Sequence, residues 1–90
     1  MNAPSIVVEF YGIPRQRAGV ERTAVVATSL GSAIESLAER FPQLAVACFQ
    51  GNQLHAAYTA NLNGQRFVRD PDTPLADGDI LLFLSADAGG

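Results

Sequence analysis

The sequence predicts an α+β fold, a mixed sheet of about five strands with one main helix, in the order β-β-α-β-β-β. Three observations predict it. Short runs of alternating apolar and polar residues flank one stretch whose apolar residues recur every three or four positions. The dipeptide Asn63-Gly64 joins two of the short runs and suits the positive φ angles of a tight hairpin turn. The connection that runs through the helix permits strands on either side of it to lie parallel. Ninety residues suffice for one hydrophobic core and not for two, which gives one domain over 1–85 and a flexible tail over 86–90.

Taken in order, Ser5 to Tyr11 alternates, with Ile6, Val8 and Phe10 on one face and Val7, Glu9 and Tyr11 on the other. Gly12, Pro14 and Gly19 punctuate a loop. Arg22 to Ala27 is a second β-prone run, so the first two strands form a hairpin. Ser29 is placed to cap a helix by accepting an unpaired backbone N–H. Leu30, Ala33, Ile34, Leu37, Ala38 and Phe41 then form one apolar stripe. Pro42 ends it, because the residue before a proline is pushed out of helical geometry. Leu44 to Gln53 is apolar without a sustained period and receives no assignment. Tyr58–Leu62 and Gln65–Val68 are the arms of the Asn63-Gly64 hairpin. Asp70 to Pro74 reads as a loop and Asp77-Gly78-Asp79 as a turn. Ile80 to Leu84 is five consecutive apolar residues, and Ser85 to Gly90 has no packing pattern.

A strand apolar on both faces must lean on something on both, and a single helix covers only one. Either Leu81 and Phe83, or Ile80, Leu82 and Leu84, need a second cover. Two readings stand: the 44–57 segment folds over that face, or the face is an exposed patch that docks a partner.

Composition narrows the function classes. A hydrophobic fraction of 48% argues against a disordered chain. The net charge of −3 and pI near 4.8 argue against nucleic acid as a partner, since phosphate binding needs clustered positive charge. Arg15, Arg17 and Arg22 read as a local basic patch or as solvated charges on a hairpin. All six basic residues are arginine. That fits a protein avoiding acylation of its own side chains, and equally a compositional bias. Cys48 stands alone, so no intrachain disulfide and no cysteine metal cluster is expected, and its apolar neighbours suggest a buried inert thiol. No apolar run approaches the roughly 20 residues of a membrane span. The first residues lack the pattern of a leader, and a cytoplasmic location is expected. His55 has no second ligand or nucleophile beside it. Asp70, Asp72, Asp77 and Asp79 sit among turn residues without Ca²⁺-loop spacing, so no metal and no bound cofactor is expected.

What remains is the end of the sequence. Glycine lacks Cβ, so Gly89-Gly90 can thread a narrow channel and present an α-carboxylate inside another protein. Adenylation would turn that poor electrophile into a good one, and sulfur attack would give a thiocarboxylate.

Several segments resemble, in order, the MoaD/ThiS family of ubiquitin-like sulfur carriers, which includes the small subunit of molybdopterin synthase. Phe10-Tyr11-Gly12-Ile13-Pro14-Arg15 followed by Ala18-Gly19-Val20 is similar to the family's first hairpin. Ser29-Leu30-Gly31 and the stretch to Phe41-Pro42 resemble its helix. Leu62-Asn63-Gly64, Thr73-Pro74-Leu75-Ala76-Asp77-Gly78-Asp79 and Ala88-Gly89-Gly90 match its V-N-G, T-P-L-x-D-G-D and A-G-G segments. The resemblance implies a β-grasp fold and a carrier that turns nothing over by itself. An E1-like adenylyltransferase would use ATP to activate Gly90, and a sulfur-accepting enzyme or large synthase subunit would take the sulfur. Gly90 would be the reacting terminus, Gly89 and Ala88 would give the tail its reach, and Phe83 and Leu81 would help dock the partners. Molybdopterin biosynthesis is the expected pathway, with carriers for cysteine, thiamin or tRNA thiolation as alternatives. A ubiquitin-like binding module and a protein modifier are the alternatives of another class. The tail departs from the family's P-x-V-A-G-G at Asp87, a charge that costs energy in a dry channel unless paired.

Overall fold

The computed structural model describes residues 3–89. The elements are β1 (Ser5–Phe10), α1 (Ile13–Ala18), β2 (Arg22–Val26), α2 (Leu30–Arg40), α3 (Pro42–Cys48), β3 (Phe49–Gln50), β4 (Gln53–Leu54), β5 (Tyr58–Leu62), β6 (Arg66–Val68), β7 (Ile80–Ser85) and α4 (Ala86–Gly89). Five strands form one mixed sheet in the order β2-β1-β7-β5-β6, and β3 with β4 makes a small separate ribbon. The first and last strands are parallel neighbours at its centre, with Val8 opposite Leu81 and Phe10 opposite Phe83. The other pairs are antiparallel.

The stripe on α2 explains its seat. Leu30, Ala33, Ile34 and Leu37 are fully buried against the sheet face that carries Ile6, Val8, Phe10, Leu81 and Phe83. Its start is fixed by reciprocal bonds: Ser32 N–H donates to Ser29 Oγ at 3.2 Å and Ser29 N–H to Ser32 Oγ at 3.1 Å. The next two orphan donors go to the loop before β7. Leu30 N–H reaches Thr73 O at 2.9 Å and Gly31 N–H reaches Pro71 O at 2.8 Å. That approach requires glycine: a Cβ on residue 31 would lie 3.0 Å from Pro71 Cβ and 3.0 Å from Asn52 Nδ2.

Two segments differ from the sequence expectation. The 12–19 stretch is not a plain loop but carries α1, entered through Pro14 in its first turn and closed by Gly19 at φ 79°. Its N–H and C=O groups thereby find partners without lengthening the β1–β2 connection into open coil. The unassigned 44–53 stretch holds α3 and the β3–β4 ribbon. Pro42 ends α2 and also opens α3 as its first residue. With only two turns, α3 shows the core just Leu44 and Cys48, too few for a visible period. It thickens the helical layer on α2's side of the sheet: Phe49, next in the chain, sets its ring 6.0 Å from that of Phe83. Cover for the opposite face, one of the two readings of this segment, does not come from here. The Asn63-Gly64 turn is as expected, with φ 59° and 70°.

Candidate functional site

β7 determines where the chain's end is delivered. It is the middle strand, flanked by β1 and β5. Tyr11 N–H donates to Phe83 O at 3.0 Å, fixing the exit of β7 beside the end of β1. Ala86 N–H then donates to Ala57 O at 2.8 Å, and residues 86–89 wind into the single turn of α4. The 86–90 tail therefore begins as a helical turn leaning toward β5. Ala88 and Gly89 lie in that turn; Gly90 lies outside the described residues.

The turn's lean toward β5 leaves open the β1 side of the exit. There a cavity of about 480 Å³ is lined by Tyr11, Gly12, Ile13, Gln16, Leu84 and Ser85. Charged groups gather beside it. Tyr11 donates its hydroxyl to Glu9 Oε1 at 2.8 Å, and that bond, ahead of burial, raises the phenol's pKa. Arg22 sits 3.6 Å from Glu9 and Arg15 3.4 Å from Glu21. The Arg15 guanidinium also lies 5.3 Å from the centre of the Tyr11 ring. Two of the three arginines in the 15–22 run are thus matched by carboxylates, which fits the solvated-charge reading better than a basic patch.

The docking residues need correction. Phe83 and Leu81 are 1% and 0% exposed in the core, the Phe83 ring stacked on Phe10 and edge-on to Phe49, so neither side chain is presented to a partner. The period-2 geometry of β7 puts Ile80, Leu82 and Leu84 on the face opposite α2. Strand register sets Val7 and Asn61 on that face, and exposed Val26 and Phe67 complete it. The result is a partly exposed apolar patch running up to the tail, bordered by the Glu9–Arg22 pair that the same register sets on this face. Within it, Asn61 Oδ1 is buried and accepts no hydrogen bond.

The remaining candidates take structural roles. Cys48 is buried, and burial pushes its thiol pKa up, opposite to what a nucleophile needs. His55 bridges through its backbone, donating to Cys48 O at 2.9 Å and accepting from Tyr58 N–H at 3.0 Å. Asp77 accepts from Ser5 N–H at 2.8 Å, Asp70 from Asp72 N–H at 2.8 Å, and Asp79 from Ala76 N–H at 2.8 Å and Asn63 Nδ2 at 3.0 Å. The last two bonds hold the Asp79 carboxyl below its ordinary pKa. No helix among the described residues is long and apolar enough to cross a membrane.

A family model described as the ThiS family matches residues 8–90. No curated protein matches the sequence. Among solved structures, SAMP1 of Haloferax volcanii superposes with a TM-score of 0.80 at 21% identity, covering 96% of this chain and 99% of that one. A Pyrococcus furiosus candidate for subunit 1 of molybdopterin converting factor gives 0.76 at 23%, covering 92% and 98%. A chain of the BexX/CysO complex of Amycolatopsis orientalis gives 0.77 at 21%, covering 94% and 99%. The likenesses establish the β-grasp fold.

Proposed function

As the chain belongs to the ThiS family, we propose that it is a sulfur carrier whose working group is the α-carboxylate of Gly90. The observation that supports this is the family match together with the central position of β7. The family match runs through Gly90, and the strand that delivers it is the sheet's centre, beside an open apolar face. A central strand cannot yield when a partner pulls on the tail. The apolar face gives the partner a surface to grip while the tail enters its active site.

The chemistry follows from the carboxylate. An E1-like adenylyltransferase lets a carboxylate oxygen attack the α-phosphorus of ATP, with pyrophosphate leaving. Sulfide then attacks the acyl carbon of the adenylate and AMP leaves, so Gly90 ends as a thiocarboxylate. A sulfur-accepting enzyme or large synthase subunit transfers that sulfur onward. Ala88 and Gly89 supply reach, and docking falls to Ile80, Leu82 and Leu84 in place of Phe83 and Leu81. The chain binds no cofactor of its own and is a co-substrate, with the leading pathway molybdopterin synthesis in the cytoplasm. Thiolation for cysteine, thiamin or tRNA would use the same terminus with another acceptor.

The test is the intact mass of the protein after incubation with ATP, sulfide and E1-like enzymes, each shown active on its own carrier. Replacement of one oxygen by sulfur, mapped to Gly90, is the expected result; an unchanged mass with all of them overturns the reading. A second reading is favoured by the likeness to SAMP1, named as a small archaeal modifier protein. An amide between Gly90 and a lysine of another protein in the same reaction would support it.

A further inference from the structure

The two edges of the sheet are finished differently. β6 is only three residues long, a short edge that offers little to pair with. β2 has five residues, among them β-prone Thr23, Val25 and Val26. The bonds Phe10 N–H to Glu21 O and Ala27 N–H to Pro4 O, with the register Ile6–Val25 and Val8–Thr23, set which backbone groups face β1. By alternation, the N–H and C=O groups of Arg22, Ala24 and Val26 point outward. Such a row is a template for another strand.

Arg40 closes the middle of that row. From the last residue of α2, its Nη1 donates to Ala24 O at 2.6 Å and its Nη2 to Thr23 Oγ1 at 2.5 Å. The guanidinium rests 5.2 Å from the centre of the Phe41 ring. A charged, planar group thus lies across the carbonyl that an incoming strand would need first. We propose that Arg40 is a clasp on the β2 edge and that the strand it holds off is β2 of a second copy of this chain. The occupant follows from the register. The outward row has three members centred on Ala24, so an antiparallel copy about a two-fold axis sets Ala24 opposite itself and Arg22 opposite the copy's Val26. Only methyl groups meet at the axis. Val26, 60% exposed in the single chain, would gain cover from the copy. Pairing of this kind joins two sheets into one and extends the open apolar face across the axis.

Sedimentation velocity over a concentration series tests this with wild type, R40A, Arg40→Met and the double variant R40A/A24P. Arg40→Met keeps an apolar stem over Phe41 while removing the donors, so it reports on the clasp even where R40A folds poorly. Proline at 24 removes an outward N–H and leaves the ladder to β1 intact. The clasp predicts self-association at least about tenfold tighter in R40A and Arg40→Met than in wild type, and its loss in R40A/A24P. Donor-less variants that associate no more tightly than wild type overturn the proposal. Association that survives A24P also overturns it, because the contact would then lie on another surface.

Discussion

The two faces of β7 are made of the same kind of residue and have opposite fates. Leu81 and Phe83 sit at 0% and 1% exposure beneath α2 and the ring of Phe49, while Ile80 on the other face is 37% exposed. Composition does not separate them; neighbours do. The inner pair continues rows set by Val8 and Phe10 across the parallel β1–β7 ladder, and the apolar stripe of α2 is buried on that face. The outer residues stay partly exposed. A strand apolar on both sides therefore holds the domain together with one face and, under the proposed function, offers a surface with the other.

Substitutions can break or sharpen that contrast. The largest effect belongs to the inner face: Phe83→Ala should cost about 3–5 kcal/mol of folding stability, read by chemical denaturation, because it empties a ring-lined site. Gly31→Ala tests whether the strap from Pro71 to Thr73 is as closely fitted as the core. Overlap at 3.0 Å with Pro71 Cβ predicts a loss of about 1–3 kcal/mol. Ser29→Ala removes the acceptor for Ser32 N–H and should cost about 1 kcal/mol. Leu82→Ser, on the outer face, should cost about 1 kcal/mol or less in denaturation while weakening binding to an activating enzyme in calorimetry. A loss comparable to that of Phe83→Ala would erase the distinction between the faces.

The smallest expected effect is a pH dependence. Asp79 has its folded pKa lowered by the bonds from Ala76 and Asn63. A lowered folded value means its stabilisation is present above the ordinary aspartate range and is lost as pH falls through the folded value. Asp79→Asn should therefore flatten the acid limb of stability measured by thermal unfolding, without moving the neutral plateau beyond the loss of the Ala76 bond.

Much of this was legible in the sequence because it is local. The α2 stripe, its Ser29 cap and the Asn63-Gly64 turn each depend on residues within a few positions of one another, and each stands where expected. The short helices were harder. α1 was hidden by Gly12, Pro14 and Gly19, read as loop punctuation; a proline in the first turn and a glycine after the last are also how a short helix is bounded. α3 buries too few residues to show a period. The open face was half legible: alternation separates Leu81 and Phe83 from Ile80, Leu82 and Leu84, and leaves undecided which set is covered. Which side of β7 is covered depends on a strand near the other end of the chain and on where α3 packs, and neither is encoded in Ile80 to Leu84. Arg40 gave no signal either, since a charged residue at a helix end is ordinary until its donors are seen on β2.

The central position of β7 has a further consequence, in time. Among the described residues, β7 alone joins β1–β2 to β5–β6, and it is made last of the seven strands. At about 5–20 residues per second on the ribosome, β1 waits some seconds for its parallel neighbour. Until then the two hairpins share no ladder, and the contacts that close the sheet are the most distant in the chain. A chain cut short before Phe83 cannot complete its core, however well its helix forms. Folding thus acts as a check on synthesis: the apolar face beside β7 exists only when translation has reached the strand that leads into the tail.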